Sequence, residues 1–258
     1  MVSRRIIACL DVADGKVVKG VKFGAHRVVD EIVALALRHR DAGADELVLY
    51  DIGASPAERC VDAQWIERVA RDIDIPFCVA GGIRSVDDAR RALHAGADKI
   101  SVNSPALERP QLIEELAAAF GSQCVVVGVD SLRDPDGDWR VRRNSGDPAR
   151  IEGLPIATLD WIVEAQARGA GEIVLNCMGS DGTLEGYDIA QLRAAREVCS
   201  VPLIASGGAG TMAHFSDVFE ETDVDGALAA SVFHYGLIDI RDLKRELKGR
   251  QIDVRMDG

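Results

Sequence analysis

The stretch "CVAGGIRS", residues 78–85, has the pattern of a short apolar strand that ends in two glycines and a polar turn. A second stretch of the same kind, "LIASGGAG", occupies residues 203–210, so that Gly208 follows Gly82 by 126 positions. Gly-Gly pairs are common wherever a chain turns, and such a pair alone is weak evidence for a repeat. The surrounding sequence decides whether the two copies are related.

Other segments of the chain recur at nearly the same interval. Two such pairs, offset by 126 and 127 positions respectively, are "ADELVLYDI" (44–52) with "AGEIVLNCM" (170–178) and "GADKISVNS" (96–104) with "DVDGALAAS" (223–231). Because nearly the same offset relates three separate blocks and is too long for a solenoid repeat, it indicates a duplicated half-domain. We expect a single domain over residues 1–258, built from halves at about 1–122 and 123–258.

Short runs rich in Val, Ile and Leu alternate with segments of helical period along the whole chain, which is typical of βα units around a parallel sheet. Each run is nearly continuously apolar, as strands covered on both faces must be. The runs that we interpret as strands are 5–11, 46–51, 77–80, 99–102, 124–130, 172–177, 203–206 and 226–230. Two halves of four units each predict an α/β fold, a (β/α)8 TIM barrel with a two-fold half-barrel repeat.

The helices between these strands have recognisable ends. Ser85 and Asp188 stand where an N-cap is expected, and Gly43 and Gly96 stand where helices stop. The long interruption at 130–157 contains the turn sequence "DPDGDW", which predicts a small hairpin over the barrel mouth.

Charge and hydropathy exclude several classes of function. The 258 residues carry a formal net charge of −12. Nucleic acids and anionic membranes bind proteins with a positive surface, so neither is expected as a partner. No stretch approaches the roughly 20 apolar residues of a membrane span, and the beginning of the chain lacks the pattern of a secretory signal. We therefore expect a cytoplasmic protein with no nucleic-acid or membrane partner.

Cysteine and histidine spacing indicates no metal centre. The six cysteines lie far apart, mostly inside apolar runs, and no pair has the spacing of a zinc or redox motif, so we expect reduced core residues. The five histidines form no ligand pattern, and we expect each at a solvated or capping position. The sequence implies no metal and no cofactor.

The C-terminal ends of parallel barrel strands share one face, where catalysis takes place. Asp11 and Asp130 close the first and fifth strands, which are opposed in a barrel of eight, and two facing carboxylates can divide general-acid and general-base roles. The alternative is that each aspartate only caps its loop. Lys19, in "GKVVKG", could offer a cation from the first loop, although a solvated loop lysine is the commoner case.

The two Gly-Gly turns predict anion sites. Their exposed backbone amides, with small polar residues after the fourth and eighth strands, suit a phosphate at a loop and a helix N-terminus. The residues concerned are Gly82, Asn103, Ser104, Gly207, Gly208 and Ser231. Two copies on opposite sides of the mouth predict a long ligand with a phosphate at each end. The alternative is that these glycines serve only to form the turns.

The opposite face of the predicted barrel is unusually charged. Arg5, Glu46, Lys99 and Glu172 occupy the first positions of four strands, two of each sign. They could form a closed ring of salt bridges around the barrel axis. Surface ion pairs contribute little stability, so a purely stabilising ring is a weak explanation. A gate at this end of the barrel is a further interpretation.

Segments throughout the chain resemble one family. "RRIIACLDVADGKVVKGVKF", "FCVAGGIRS", "GADKISVNSPAL", "FGSQCVVVGVD", "DGTLEGYD" and "VPLIASGGAGTMAHF" are similar to the cyclase subunit of imidazole glycerol phosphate synthase, of histidine biosynthesis. The resemblance runs from residue 4 to about residue 247. "ACLDV" and "ASGGAG" are among the clearest marks of that family.

The resemblance implies an activity and a partner. Family members use ammonia from a glutaminase subunit to cleave a phosphoribulosyl-formimino aminoimidazole carboxamide ribonucleotide, which carries a phosphate at each end. The products are imidazole glycerol phosphate and an aminoimidazole carboxamide ribotide. The glutaminase docks on the N-terminal face of the barrel, where Arg5, Glu46, Lys99 and Glu172 match the family's ammonia gate.

The resemblance also implies residue roles. Asp11 and Asp130 match the catalytic acid and base, Lys19 the first-loop lysine, and Asp181 a further active-site aspartate. The first phosphate site matches Gly82, Asn103 and Ser104, and the second matches Gly182, Gly207, Gly208 and Ser231. One departure is Gly53 in "DIGAS", where the family usually has Thr, which leaves that ligand contact in doubt.

Two other functions stay open from the sequence. The sister isomerase of the same pathway is also a duplicated half-barrel with an aspartate pair and a double-phosphate ligand. It has no reason to keep "ACLDV", Lys19 and the charged gate. A barrel that only binds a phosphosugar would not need Asp11, Asp130 and Lys19 together.

Overall fold

The computed structural model describes residues 3–13, 16–21, 24–52, 61–146 and 149–256, and within these ranges the side chains of residues 19–28 are not described. In chain order the elements are β1 (Arg5–Ala13), β2 (Lys16–Val21), β3 (Gly24–Glu31), α1 (Ile32–Asp41), β4 (Glu46–Asp51), α2 (Ala63–Asp72), β5 (Phe77–Ala80), α3 (Val86–His94), β6 (Lys99–Val102), α4 (Ser104–Glu108), α5 (Gln111–Phe120), β7 (Val125–Arg133), β8 (Trp139–Arg143), β9 (Glu152–Ala157), α6 (Thr158–Ala167), β10 (Glu172–Cys177), α7 (Ile189–Val198), β11 (Leu203–Ser206), α8 (Met212–Thr222), β12 (Gly226–Ala229), α9 (Ser231–His234) and α10 (Ile240–Gly249). In this part of the chain, no helix is long and apolar enough to cross a membrane.

Parallel strands close into a barrel in the order β1, β4, β5, β6, β7, β10, β11, β12. Closure is completed by the parallel pairing of β1 with β12 and of β7 with β10. The predicted (β/α)8 barrel is therefore confirmed. Six of the eight predicted strands start and end within one residue of the observed bounds, while β1 and β7 extend beyond their predicted ends as parts of hairpins.

The predicted helix ends are also confirmed. The Ser85 side chain accepts a hydrogen bond from the Asp88 amide at 3.2 Å and caps α3. The Asp188 side chain accepts from the Gln191 amide at 3.0 Å and caps α7. Gly96 follows α3 with a φ of 111°, a conformation that glycine adopts without a Cβ penalty.

Side chains of the barrel strands alternate between two apolar regions. The outer region lies between the strands and the surrounding helices and contains most of the buried aliphatic residues. The inner region, here called the interior cluster, consists of Ile7, Cys9, Val48, Cys78, Val126, Val174, Ile204 and Leu228. The cluster fills the barrel, so the interior is a packed core, as in other barrels of eight strands.

Antiparallel extensions rise from two of the barrel strands. Strands β7, β8 and β9 form a meander, which confirms the hairpin predicted for the interruption after the fifth strand. The segment after Asp11 was expected to be a loop, and this expectation was wrong. Instead β1 continues to Ala13 and pairs with β2, which pairs with β3, because backbone pairing extends this ribbon beyond the barrel.

The prediction for the histidines was wrong at two positions. His39 in α1 and His234 in α9 are both buried, and Nε2 of His39 lies 3.0 Å from Nδ1 of His234. Contact between two elements that are distant in sequence creates this pair, which the local pattern cannot reveal. His214 does serve as a cap, because its side chain and that of Thr211 form a capping box at the start of α8.

The expected reduced, buried state holds for four of the described cysteines. Cys9, Cys78, Cys177 and Cys199 are free and buried. Cys124 is free and partly buried. Cys60 lies outside the described residues.

Candidate active site

A cavity of about 250 Å³ opens at the C-terminal ends of the barrel strands. Predicted site residues from both halves of the chain line it, namely Asp11, Gly82, Asn103, Ser104, Asp130, Asp181, Gly182, Gly207, Gly208 and Ser231. The backbone of Lys19 belongs to β2, but its side chain and all of Gly53 lie outside the described residues. Their predicted contacts therefore stay predictions.

The two predicted catalytic aspartates come from opposed strands. Asp11 lies on β1 and Asp130 on β7, and three strands separate β1 from β7 in either direction around the barrel. Both carboxylates border the same cavity. The Asp11 carboxylate lies 4.0 Å from the Cys9 thiol, which belongs to the interior cluster. A ligand in the cavity can therefore contact one carboxylate on each side.

Three side chains hold the Asp130 carboxylate. Asn103 Nδ2 donates to Oδ2 at 2.6 Å, and Asn176 Nδ2 donates to Oδ1 at 2.8 Å. The Ser145 hydroxyl, from the loop between β8 and β9, also donates to Oδ2. Sequence analysis did not identify Ser145, because nothing local marks a loop serine as the partner of a residue on another strand.

The pKa of the Asp130 carboxyl is raised above its usual value. Burial is the largest cause, since it penalises the charged form. The hydrogen bonds from Ser145, Asn176 and Asn103 act in the opposite direction, and the nearby charge of Asp181 raises the pKa further. A carboxyl in this environment is able to hold or release a proton closer to neutral pH than an exposed aspartate can.

The Asn103 side chain binds the Asp130 carboxylate through its Nδ2. Its Oδ1 is buried and has no hydrogen-bond partner within the described residues, so it is available to a ligand donor. The neighbouring Ser104 hydroxyl accepts a hydrogen bond from the Asn144 amide at 2.9 Å, and its own proton remains free to donate. Whether the backbone of Asn103 contacts a phosphate stays a prediction.

The Gly-Gly turns are sterically equivalent in the two halves. A Cβ on Gly81 would lie 2.3 Å from the Asp51 carbonyl oxygen, and a Cβ on Gly207 would lie 2.8 Å from the Cys177 carbonyl oxygen. The two glycines have φ values of 100° and 93°. Each turn therefore passes directly over the end of a neighbouring strand, where only glycine fits. The repeated geometry matches the repeated sequence.

The four charged residues at the opposite end of the barrel form the predicted ring. Arg5 lies 2.6 Å from Glu46 and 2.6 Å from Glu172, while Lys99 lies 2.9 Å from Glu46 and 3.2 Å from Glu172. Each carboxylate is thus shared by two cations. The Glu46 and Glu172 side chains are only 3% and 8% exposed, so this charged ring is far less accessible to water than a typical surface pair.

Both cations of the charged ring stay protonated. Burial alone lowers the pKa of Lys99, but the charges of Glu172 and Glu46 outweigh that effect and the pKa is raised. The same balance raises the pKa of Arg5. The ring is therefore a closed set of opposite charges at the N-terminal end of the barrel.

A tyrosine that sequence analysis missed lies between the interior cluster and the cavity. Tyr50 packs on the interior cluster and also lines the cavity. The alternation of "ELVLYD" in β4 was the available signal, since it places Glu46, Val48 and Tyr50 on one face of the strand. Glu46 belongs to the charged ring and Val48 to the interior cluster. Tyr50 is therefore the next inward-facing residue toward the C-terminal end of β4.

The chain is similar to known proteins over nearly its whole length. A model of the family described as histidine biosynthesis protein matches residues 5–239. Proteins named imidazole glycerol phosphate synthase subunit HisF from Xanthomonas campestris pv. campestris (strain 8004) and Stenotrophomonas maltophilia (strain K279a) are each 69% identical over 255 residues, which is 99% of both chains. The chain belongs to the histidine biosynthesis protein family and is a cyclase subunit of imidazole glycerol phosphate synthase.

Proposed function

We propose that the cavity catalyses the cyclase reaction with ammonia supplied by a glutaminase subunit. The substrate is the phosphoribulosyl-formimino aminoimidazole carboxamide ribonucleotide, and the products are imidazole glycerol phosphate and an aminoimidazole carboxamide ribotide. One observation carries the proposal: two aspartates on opposed strands border a single cavity that also contains both repeated glycine turns. A ligand with two phosphates can span the mouth between the turns and lie over both carboxylates.

The two turns anchor the phosphates in this proposal. One phosphate contacts the segment around Gly82 and the Ser104 hydroxyl, whose proton is free to donate. The other contacts Gly182, Gly208 and Ser231, which border the same cavity from the second half of the chain. Backbone amides and hydroxyls bind phosphate without positive side chains, which agrees with the net charge of −12.

Asp11 and Asp130 act as a general acid and base. Their environments differ, because Asp130 accepts hydrogen bonds from three side chains and has a raised pKa, whereas Asp11 faces the Cys9 thiol. Two carboxyls in different environments can divide the two proton transfers of a ring closure. Lys19 supplies a cation from β2, and Asp181 adds a negative charge next to Asp130.

The charged ring is the entrance for ammonia, and the glutaminase subunit docks around it. Ammonia remains a nucleophile only while it is kept from protons and bulk water. An interior lined by the apolar interior cluster satisfies this condition between the charged ring and the cavity.

Turnover without the partner tests the activity. Ammonium at alkaline pH, with the ribulosyl substrate, should give imidazole glycerol phosphate from the isolated chain. Asp11→Asn should lower kcat by about 10²- to 10⁴-fold, the usual contribution of a general acid or base, while the dissociation constant for substrate stays the same. The matched control is Asp136→Asn, an exposed aspartate on the turn between β7 and β8, which should retain full activity.

The same assay separates the proposal from the sister isomerase. A chain that is idle with ammonium and the ribulosyl substrate, but that isomerises the preceding aminoaldose, would be the isomerase. A chain that binds substrate and catalyses neither reaction would be a phosphosugar-binding barrel.

A further inference from the structure

A leucine at the mouth of the cavity has an unfavourable backbone conformation. Leu184 lies in the loop at residues 178–188, between β10 and α7, and has a φ of 62°. Within the described residues, the other non-glycine positions with positive φ hold polar side chains, at Asn144, Asp223 and Gln251. Short polar side chains can make local hydrogen bonds in this conformation, whereas a leucine only brings its Cβ close to the following carbonyl oxygen. Leu184 is therefore the one apolar side chain in this part of the chain that is held in a strained conformation.

Hydrogen bonds within the loop fix the conformation of Leu184. The Thr183 hydroxyl donates to the Ser180 carbonyl oxygen at 2.7 Å and accepts from the Glu185 amide at 3.2 Å. Neither bond involves the side chain at position 184. A glycine or an asparagine would suit this backbone better than leucine does.

Contact with the second glycine turn fixes the same residue from another side. The Gly186 amide donates to the Gly208 carbonyl oxygen at 2.8 Å. A Cβ on Gly210 would collide with the Leu184 carbonyl oxygen, so the two backbones touch at a point where only glycine fits. The loop and the turn therefore pack directly on each other, and their backbones hold position 184 whatever side chain it carries.

The Leu184 side chain is exposed next to the proposed site of the second phosphate. It is 42% exposed and borders the cavity, together with Gly182 from its own loop and Gly208 from the turn. The other exposed large apolar side chains of the described residues do not border the cavity, namely Val163, Tyr235, Leu237 and Met256. A strained position that carries an exposed leucine at a binding site is explained if the side chain contacts the ligand.

We propose that Leu184 is a specificity-determining residue, whose side chain covers the carbon skeleton of the substrate next to the phosphate held by the second glycine turn. The inference rests on the proposed function, because it assigns a contact to the substrate of that reaction. Backbone amides and hydroxyls hold the phosphate, so the leucine is free to pack on the adjacent C–H groups and to exclude water from them. Leucine has no group that can transfer a proton, and its effect is on affinity.

A substitution that relieves the backbone and removes the apolar contact tests this role. Asparagine tolerates a positive φ, so we expect Leu184→Asn to unfold at the wild-type temperature or above it. Its KM for the ribulosyl substrate should rise about threefold to tenfold, the contribution of a leucine that is 42% exposed before binding, while kcat changes less than about twofold. A leucine that served only the fold would give the opposite result, a less stable chain with an unchanged KM.

The two products determine which end of the substrate Leu184 contacts. Imidazole glycerol phosphate and the aminoimidazole carboxamide ribotide each carry one phosphate, and isothermal titration calorimetry with each in turn measures their dissociation constants. We expect Leu184→Asn to weaken the binding of one product by the same factor and to leave the other unchanged. Equal weakening of both products would mean that the whole cavity has changed, and it would overturn the inference.

Two further variants complete the comparison. Leu184→Gly removes the side chain completely and suits the positive φ, so it should reproduce the loss of affinity. The matched control is Leu237→Asn. Leu237 lies between α9 and α10, is 61% exposed and does not border the cavity, so its substitution should change neither the KM nor either dissociation constant.

The outcomes distinguish this inference from the proposed function. A wild-type chain that binds both products but is idle with ammonium and substrate would overturn the proposed function, and the calorimetric comparison would still test Leu184. A wild-type chain that binds neither product would overturn both. Wild-type affinities in Leu184→Asn and Leu184→Gly would show that Leu184 does not contact the ligand. Weaker binding of one product in both variants, with thermal stability retained and no change in Leu237→Asn, is the expected result.

Discussion

Nδ2 of Asn176 donates a hydrogen bond to Oδ1 of Asp130 at 2.8 Å, across the pair formed by β10 and β7. Asn103 and Ser145 donate to the other oxygen, so three separate elements hold one carboxylate. Hydrogen bonds to a carboxylate favour its charged form, whereas burial opposes it. Burial is the larger effect for Asp130, and its pKa is raised in spite of the three donors.

Removing one donor should therefore raise the pKa of Asp130 further. We expect Asn176→Ala to raise the pKa of Asp130, because the hydrogen bond from Asn176 favours the charged form of the carboxyl group and is lost in this variant. The limb of the pH–rate profile that belongs to Asp130 then moves to higher pH. The measurement is kcat/KM for the ribulosyl substrate against pH, with saturating free ammonia.

The Asp130→Asn variant identifies the limb in question, because that limb should disappear with the carboxyl group. A profile of Asn176→Ala that superimposes on the wild-type profile would contradict the prediction.

The charged ring predicts where the glutaminase subunit docks. Reversing Glu46 and Lys99 together (Glu46→Lys with Lys99→Glu) places like charges next to Arg5 and Glu172, which should abolish co-elution with the glutaminase subunit in size-exclusion chromatography. Ammonium-dependent turnover should persist at a reduced level if the barrel still folds, because the cavity lies at the other end.

A second reversal controls for charge alone. Asp242→Arg with Arg245→Asp reverses an exposed ion pair on α10, and co-elution should survive it. Retained co-elution after the Glu46 and Lys99 reversal would show that the partner docks elsewhere.

The buried histidine pair predicts a stability that depends on pH. Burial, followed by the charge of Arg38, lowers the pKa of His39 from 6.5 to about 4. The folded chain therefore binds fewer protons than the unfolded chain between these values, so stability is complete above pH 6.5 and falls as the pH decreases toward 4. We expect a loss of about 3 kcal/mol over this interval, since one unit corresponds to about 1.4 kcal/mol.

Urea unfolding at a series of pH values measures this loss. His39→Gln should flatten the pH dependence relative to the wild type, whereas His94→Gln, at an exposed end of α3, should leave the slope as it is. Equal slopes for all three chains would mean that other groups cause the acid sensitivity.

The glycine turns predict a strong effect of a single methyl group. Gly81→Ala must accommodate both a positive φ and a Cβ that would lie 2.3 Å from the Asp51 carbonyl oxygen, so we expect a loss of about 3 kcal/mol or more and weaker substrate binding. Gly137 has a φ of 93° with nothing within 4 Å of an added Cβ. Gly137→Ala should therefore lose only about 1–2 kcal/mol, the cost of the backbone conformation alone.

Denaturant unfolding compares the two variants directly. Similar losses would mean that backbone conformation, and not the close approach to Asp51, decides the effect. Gly207→Ala offers an independent check in the second half of the chain, where the Cys177 carbonyl oxygen takes the place of that of Asp51.

Local patterns were sufficient to predict the barrel and much of its mouth. Apolar runs that alternate with helical segments, together with one repeat interval, predicted the strand order because each signal lies within a few neighbouring residues or in a simple comparison of the two halves. Strand ends share one face of a parallel barrel, so the positions of Asp11 and Asp130 followed from topology alone. The charged ring was predicted in the same way from the first residues of four strands.

Contacts between side chains were decided only by the tertiary structure. The donors to Asp130, the pairing of His39 with His234 and the close approach of the Leu184 carbonyl to Gly210 all join residues that are far apart in sequence. Each contact depends on strand register, barrel closure and the packing of helices on strands, which no local period encodes. The sequence by itself thus determined the architecture and the chemical types of the site residues, and the fold decided which of those residues touch, because a distance of a few ångströms is set only once the barrel has closed.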